Sequence, residues 1–176
     1  SKDLGPDLTQ LNGTALCPGG SYTINAAETN ATKYTWYKDG VQILSGNYPT
    51  YDVNYNNAGL YEVDIELAGS CSIKGKILIE KQILPIFGSS VFSVCDDDLD
   101  GVTTVDLSNY SQSIISNYTS SFQIKYFETQ PTNIDQPTET EISQINFNGV
   151  TKDIWIWVKS RLCTPLIQKI TFNINA

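Results

Sequence analysis

The 176-residue chain contains no histidine and no methionine, and each absence narrows what the protein can be. Without histidine, the Ser-His-Asp and Cys-His nucleophile arrangements and histidine-containing zinc sites cannot form within the chain. Because even the first position is not methionine, we expect the chain to be a segment of a longer protein. Acids outnumber Lys and Arg by 19 to 11, giving a formal net charge of −8, so the basic surface that nucleic acids require is missing.

Long apolar runs are missing as well. The longest are the size of a strand, such as residues 77–79, and fall far short of the roughly 18 residues of a membrane-spanning helix. A composition of 40% hydrophobic and 17% charged residues is nevertheless that of a folded chain. Helical periodicity is scarce, and short β-branched and aromatic runs alternate with clusters of Gly, Asn, Asp, Pro and Ser. This pattern predicts an all-β protein.

The predicted strands form two groups, separated by a segment that contains Pro85 and Gly88. We therefore predict domain 1 at residues 1–84 and domain 2 at residues 85–176, each of about 90 residues and small for a self-sufficient core. The strands are predicted at residues 21–26, 33–38, 41–44, 50–54, 60–67 and 72–80, and then at 91–94, 103–107, 122–127, 142–147, 153–159 and 166–173.

The four cysteines are distributed as one pair per predicted domain, near the ends of strands. Cys17 and Cys71 lie in the first domain, and Cys95 and Cys163 in the second. The even count and this placement predict two intradomain disulfides and an oxidising compartment, although three pairings are formally possible and the sequence leaves the interdomain ones open. The alternative is four reduced, buried thiols, but no C-x-x-C spacing of a metal or redox site is present.

One Trp and one Tyr have the spacing of an immunoglobulin-like (Ig-like) core. Trp36 lies on a predicted central strand, and Gly59-Leu60-Tyr61 begins a later one. In such sandwiches the Trp fills the space between the sheets, and the Tyr hydroxyl bonds back to the backbone at a corner. Val63 stands where antibody domains have a cysteine, so a disulfide in this domain would join strand ends. We predict two consecutive Ig-like β-sandwich domains, each with one disulfide.

Several motifs carry a resemblance to a known family. In the first domain they are Cys-x-Gly-x-Ser-Tyr-x-Ile from Cys17, Tyr-x-Trp-Tyr-Lys-Asp-Gly from Tyr34 and Ala-Gly-Leu-Tyr-x-Val from Ala58; in the second they are Cys-Asp-Asp-Asp-Leu-Asp-Gly from Cys95 and Ile-Trp-Ile-Trp-Val from Ile154. The chain resembles the tandem Ig-like repeat domains of large secreted Bacteroidetes and flavobacterial cell-surface proteins, including gliding-motility adhesins. The resemblance implies a repeat array that is exported by type IX secretion and displayed at the cell surface.

The acidic run after Cys95 predicts a calcium site. Asp96, Asp98 and Asp100 alternate before a glycine, the spacing of oxygen ligands for a hard cation, and the carbonyl of Val102 is a further candidate. The bidentate carboxylate of an EF-hand is absent from position twelve, and the nearest acid is Asp106 at position eleven. The alternative is a turn whose carboxylates accept hydrogen bonds from their own backbone amides. Because the run begins shortly after the domain boundary, bound calcium is expected to stiffen the junction.

Two further groups of side chains have an ordinary and a functional interpretation. Tyr48, Tyr51 and Tyr55, with Trp155 and Trp157, are either core and half-exposed aromatics of a sandwich or a sugar-stacking platform. The apolar residues beside Trp155 and Trp157 make both faces of their strand apolar, so a neighbouring loop or domain is expected to cover one face. A second group, the carboxylates at positions 62, 64 and 66, alternates with apolar residues, as on any half-buried strand, and predicts no catalysis.

Taken together, these features predict a non-catalytic segment of a large adhesin-like cell-surface protein. Its expected role is that of a stalk or adhesion module in gliding motility or surface attachment. The alternative is an accessory carbohydrate-binding or targeting module of a secreted enzyme. Expected partners are neighbouring domains of the same chain and surface polysaccharide or another cell-surface protein, with no nucleic acid and no membrane insertion. The expected location is extracellular.

Overall fold

The computed structural model describes residues 1–5, 15–98, 100–147 and 149–175. The chain divides into an N-terminal unit, Ser1–Gln82, and a C-terminal unit, Ile83–Ala176. This boundary lies two residues before the position proposed from the sequence. Leu99, which belongs to the acidic run, lies outside the described residues.

Thirteen strands, one short α-helix and two 3₁₀ helices, Tyr55–Asn57 and Leu107–Tyr110, make up the regular structure of the described residues. The N-terminal unit contains β1 (Ser21–Asn25), β2 (Ala31–Lys38), β3 (Val41–Gly46), β4 (Thr50–Asn54), β5 (Gly59–Leu67) and β6 (Ser72–Ile79). The C-terminal unit contains β7 (Val91–Cys95), β8 (Thr103–Asp106), α1 (Ser111–Ile114), β9 (Phe122–Phe127), β10 (Glu141–Ile142), β11 (Gln144–Phe147), β12 (Thr151–Ser160) and β13 (Leu166–Asn175).

In the N-terminal unit, a four-stranded antiparallel sheet of order β3-β2-β5-β6 faces a two-stranded sheet, β1-β4. On β5, Tyr61, Val63 and Ile65 are fully buried, whereas Glu62, Asp64 and Glu66 between them are half-buried or exposed. This is the alternation of a strand with one face in the core. The buried core draws on both sheets and includes Ile24, Trp36, Val53, Tyr61, Val63, Ile65, Ile77 and Ile79.

A tight hairpin turn joins β2 to β3, as the Asp-Gly pair predicts. Asp39 and Gly40 have φ angles of 49° and 83°, the left-handed values that a primed hairpin turn requires. The carboxylate of Asp39 also accepts a 2.9 Å hydrogen bond from the backbone amide of Leu60 on β5. The turn is thus tied to the adjacent strand of the same sheet.

The C-terminal unit has a five-stranded sheet of order β10-β9-β12-β13-β7 and a two-stranded sheet, β11-β8. All pairs are antiparallel except β7 with β13, which is parallel. The core of this unit is separate and includes Val105, Leu107, Ile114, Ile115, Tyr126, Ile145, Ile154, Ile156, Val158, Ile170 and Phe172.

The strand predicted at residues 142–147 is in fact two strands on different sheets. Ile142 of β10 pairs with Tyr126 on β9, whereas Gln144 of β11 pairs with Asp106 on β8, so the chain changes sheets at Ser143. The helical segment Leu107–Ile114 that follows β8 was also not predicted. Both features depend on partners distant in sequence, which the local pattern does not identify.

The two units share one topology. In each, the first strand pairs with the fourth (β1-β4 and β8-β11), and the third, second, fifth and sixth form the other sheet (β3-β2-β5-β6 and β10-β9-β12-β13). A preceding segment then runs parallel to the last strand: β7 beside β13, and in the N-terminal unit the parallel bridges Lys2–Gly75 and Leu16–Lys81. The six strands of the two sheets in one unit therefore correspond in order to the six in the other.

Candidate functional site

Several aromatic residues of the N-terminal unit pack around Trp36, whereas Tyr48 is 46% exposed. The Trp36 side chain is fully buried, and its indole Nε1 donates a 2.8 Å hydrogen bond to the carbonyl of Tyr48. The ring of Tyr51 lies 5.5 Å from the rings of both Trp36 and Tyr61. Tyr55 donates to a backbone carbonyl at 3.0 Å. These contacts support the interpretation as core packing over that as a sugar-stacking platform.

Tyr61 forms the corner hydrogen bond that the sequence predicts. Its fully buried side chain lies at the start of β5, and its hydroxyl donates to the backbone carbonyl of Asn57. Burial, with smaller contributions from Tyr51 and Asp39, raises the pKa of Tyr61 to about 12. The hydroxyl therefore stays protonated, and remains a donor, throughout the neutral range.

We expect Tyr61→Phe to lower the free energy of unfolding of the N-terminal unit by about 1 kcal/mol at neutral pH, because one intramolecular hydrogen bond is lost. In the unfolded chain the tyrosine pKa is near 10, below its folded value, so the contribution is complete below pH 10 and is lost as the pH rises through 12. Urea denaturation at several pH values measures the difference between the two proteins. Tyr48→Phe, whose side chain is 46% exposed, is the control. A difference that does not shrink above pH 10 contradicts the assignment.

On β12, a loop of the same unit covers the second apolar face. Trp157 is buried, and its indole Nε1 donates a 2.6 Å hydrogen bond to the carbonyl of Ile134 in the connection between β9 and β10. The Lys125 Nζ lies 5.2 Å from the Trp157 ring centroid. Trp155 is half-buried. Trp157 is therefore packed within the unit, and Trp155 is partly exposed.

The acidic loop begins where β7 ends. Asp96 is buried, with 7% of its surface exposed, whereas Asp98 and Asp100 are exposed. One carboxylate oxygen from each lies within 4.8 Å of the others. The structure thus brings together three of the predicted calcium ligands, and their hard oxygen donors suit Ca²⁺.

The same carboxylates accept hydrogen bonds from the loop's own backbone. Asp96 accepts from the amide of Gly101 at 2.7 Å, Asp98 from that of Asp100 at 3.3 Å, and Asp100 from that of Val102 at 2.8 Å. Gly101 has a φ of 80°, which favours glycine. These are the contacts expected of an Asp-rich turn, so both interpretations of the sequence have support in the geometry.

The other two predicted calcium ligands are Asp106 and the carbonyl of Val102, and neither belongs to the group of three carboxylates. Asp106 ends β8, and its carboxylate accepts hydrogen bonds from the amide and hydroxyl of Ser108 at 3.1 and 2.8 Å, so it lies outside the carboxylate group. The amide of Val102 donates to Asp100, and a metal-binding role for its carbonyl stays a prediction. The pKa of Asp98 is raised, most of all by a hydrogen bond with Asp96. A proton held between the two carboxylates removes the repulsion between their negative charges.

The acidic loop and Ile83, the first residue of the C-terminal unit, lie at opposite ends of that unit. Ser160, at the end of β12, donates a 2.7 Å hydrogen bond to the carbonyl of Ile83, the first residue of the unit. Cys95, just before the loop, instead pairs with Asn175 at the opposite end of β13. The expectation that calcium stiffens the junction between the two domains stays a prediction. A cation here would stiffen the end at which the last strand finishes.

We predict that millimolar Ca²⁺ raises the melting temperature of the C-terminal unit by roughly 10 °C, because a ligand at 100 times its Kd stabilises by about 2.7 kcal/mol. Asp98→Asn is expected to abolish this shift and to raise the melting temperature in EDTA, since it relieves carboxylate repulsion. Asp97→Asn, which removes an adjacent acid outside the carboxylate group, is expected to keep the shift. Scanning calorimetry measures both effects. Equal shifts in both variants, or none in the wild type, contradict the calcium site.

The predicted intradomain disulfides are wrong because each pair lies at opposite ends of a strand. Leu16 pairs with Lys81 beyond the end of β6, which places Cys17 there, whereas Cys71 immediately precedes β6. At about 3.3 Å per residue, a strand of this length separates the two cysteines by roughly 25–30 Å, far beyond the ~7 Å limit of a disulfide. The same holds in the C-terminal unit, where Cys95 and Cys163 lie at opposite ends of β13.

The disulfide of the described residues instead joins Cys17 to Cys163, one cysteine from each unit. Cys163 is buried, with 2% of its surface exposed. Cys71 and Cys95 are free and exposed. A disulfide belongs to an oxidising compartment, in agreement with the sequence-based expectation. The interdomain pairing was among the three that the sequence left open.

Comparisons with known proteins agree with this architecture. Residues 91–176 match the model of a family described as the Flavobacterium inter-domain disulphide bond domain. The match supports the resemblance of the second half to a flavobacterial Ig-like domain. A search of curated proteins finds no match. Within the part of the chain that the structure describes, no helix has both the length and the apolar composition needed to cross a membrane.

Solved structures show the fold. Immunoglobulin domains 1–4 of Sidekick-1 are similar over 92% of this chain and 46% of that one, with 9% identity and a TM-score of 0.52. DIP-gamma IG1+IG2 is similar over 92% and 93%, with 8% identity and a TM-score of 0.49. The insect immune protein hemolin is similar over 99% and 46%, with 9% identity and a TM-score of 0.46. The Sidekick-1 likeness carries the conclusion: the predicted all-β, Ig-like fold is confirmed.

Proposed function

We propose that this chain is a non-catalytic stalk or adhesion module of a large exported cell-surface protein, serving gliding motility or surface attachment. The observation that carries the proposal is the Cys17–Cys163 disulfide, which ties two Ig-like units to each other. In this proposal the protein leaves the cell by type IX secretion, as the sequence resemblance implies. Its partners are the neighbouring domains and a surface polysaccharide or protein.

The position of the disulfide suits a segment that transmits force. The strands from β1 to β12 all lie between Cys17 and Cys163 in sequence, inside the loop that the bond closes. Tension applied to the two ends of the chain therefore passes through the covalent bond and bypasses these strands. A stalk built in this way keeps its folded length under load.

The polar surface features give no competing chemistry. The carboxylates of β5 follow the alternation of a half-buried strand, and Lys74 lies 3.4 Å from Asp64 as an ordinary ion pair. Of the aromatic side chains considered for a carbohydrate platform, Tyr51 packs against Trp36 and Trp157 bonds to the β9–β10 connection, which leaves Tyr48 as the exposed one. These observations favour the stalk over an accessory carbohydrate-binding module.

An exchange experiment in the full-length protein tests the proposal. Replacing the segment with an unrelated pair of disulfide-linked Ig-like domains of similar length is expected to preserve surface attachment, because a stalk supplies length and strength without a specific contact. Deleting the segment is expected to reduce attachment. Loss of attachment after the exchange would instead assign a specific binding role, and a polysaccharide pull-down with the purified chain would then test the alternative.

A further inference from the structure

Three lysines and two tryptophans share the outer face of the five-stranded sheet, the face turned away from the core of the C-terminal unit. On β12, Trp155, Trp157 and Lys159 alternate with core residues, so these three lie on the opposite face. The pairing with β9 places Lys125 beside Trp157, and the pairing with β13 places Lys169 beside Trp155. We call these five residues the lysine face.

The positive charge of the lysine face is not neutralised by neighbouring acids. Within the residues that the structure describes, its three lysines form no ion pair, whereas Lys152 on the same strand lies 3.3 Å from Glu128. Asp153, also on β12, accepts a 2.7 Å hydrogen bond from the hydroxyl of Thr171. Five of the ten acids of the C-terminal unit fall at residues 96–106, beyond the other end of β13. The charges of the unit are therefore segregated.

The spacing of the three lysines suits an extended anion. With strands about 4.8 Å apart and a rise of about 3.3 Å per residue, the Cα atom of Lys125 lies roughly 8 Å from that of Lys159 and 12 Å from that of Lys169, and the last two are roughly 14 Å apart. Lys169 is exposed, and the other two are half-buried. Long lysine side chains pack their stems on such a face and keep their charge in water. Negative charges spaced along a polymer fit this arrangement better than one small anion does.

Trp155 adds an apolar surface between two of these charges. Its half-buried indole lies beside Lys169 on β13, and Lys125 is on the strand at its other side. An aromatic ring provides a large, flat contact area, and the apolar face of a sugar ring packs well against such a surface. The combination of spaced positive charges and an accessible indole therefore favours an acidic polysaccharide over an acidic polypeptide.

We propose that the lysine face binds an acidic polysaccharide, with the three lysines contacting its carboxylates and Trp155 packing against a sugar ring. This inference rests on the proposed function, which includes a surface polysaccharide among the partners, and it gives the chemical class of that partner and the residues that contact it. Exposed charge contacts are individually weak, so the site adds to attachment without supplying it alone.

Binding of the purified chain to immobilised polygalacturonate, a carboxylated polysaccharide, tests the proposal. Biolayer interferometry is carried out in EDTA, so that no divalent cation bridges the acidic loop to the polymer. We expect Lys159→Gln and Lys169→Gln each to weaken binding by about threefold and the double variant by about tenfold, because the two sites are well separated. Lys152→Gln, on the same strand but paired with Glu128, is the matched control and is expected to bind as the wild type does. Binding should also weaken as the salt concentration rises.

Two further polymers separate charge from sugar recognition. Neutral dextran is expected not to bind, and polyglutamate is expected to bind about threefold more weakly than polygalacturonate, a difference that Trp155→Ala should remove. Equal binding of polyglutamate by the wild type would overturn the assignment to a polysaccharide and indicate an acidic protein partner. No binding to polygalacturonate, or an equal loss in Lys152→Gln, would overturn the site itself. The exchange experiment measures attachment of the full-length protein, so the two proposals fail separately.

Discussion

When single molecules are pulled from their two ends, Cys17→Ser is expected to increase the length of chain that extends by roughly 500 Å. The bond encloses 163 − 17 = 146 residues, and an extended chain spans up to about 3.5 Å per residue. With the bond intact, only the residues outside this loop can extend. The change is measured by atomic force or optical-trap spectroscopy of the purified chain, with and without a reductant.

Cys71→Ser is the matched control for this measurement. It removes an exposed, free thiol of the same unit, so the released length should equal that of the wild type. Treatment of the wild type with a reductant should reproduce the Cys17→Ser result. A wild type that extends fully without a reductant would contradict both the disulfide and the stalk that we propose from it.

Trp36→Ala is expected to lower the free energy of unfolding of the N-terminal unit by about 3–5 kcal/mol, as for a large buried aromatic residue. The side chain is fully buried between the sheets, and its loss leaves a cavity and removes the hydrogen bond to the Tyr48 carbonyl. A decrease of this size is a large part of the total stability of a domain of about 80 residues. Hydrogen exchange with mass spectrometry should show rapid exchange in β1–β6 and retained protection in β8–β13, because the C-terminal unit has its own core.

Trp155→Ala is the control for this substitution, since it removes the same side chain from a half-buried position in the other unit. It should leave exchange in β1–β6 unchanged. Trp36→Phe retains much of the buried volume and is expected to be milder than the alanine variant. Loss of protection in both units after Trp36→Ala would contradict the independence of the two cores.

Local sequence patterns predicted most strands, because alternation and turn residues act over a few positions. The Asp39-Gly40 turn and the buried face of β5 are examples. The change of sheet at Ser143 was missed, because the partners of β10 and β11 lie far away in sequence.

The candidate sites were likewise predicted where they depend on neighbouring residues and missed where they depend on residues distant in sequence. Asp96, Asp98 and Asp100 come together because five residues of one loop contain them all. Asp106 does not join them, because β8 intervenes and Ser108 engages its carboxylate. The cysteine pairing was missed because it depends on the parallel pairing that carries Cys17 and Cys95 to one end of their units.

The length of β6 also limits which cysteines can be joined once the N-terminal unit has folded. Cys71 is the first cysteine to follow Cys17 in the chain, so an oxidant that reaches an unfolded chain can join these two. Once β6 has formed, it holds the two thiols roughly 25–30 Å apart and prevents that error. Cys163, the correct partner, follows β12 in the chain and is therefore synthesised after it. The strand thus protects Cys17 from a premature bond until its partner is available.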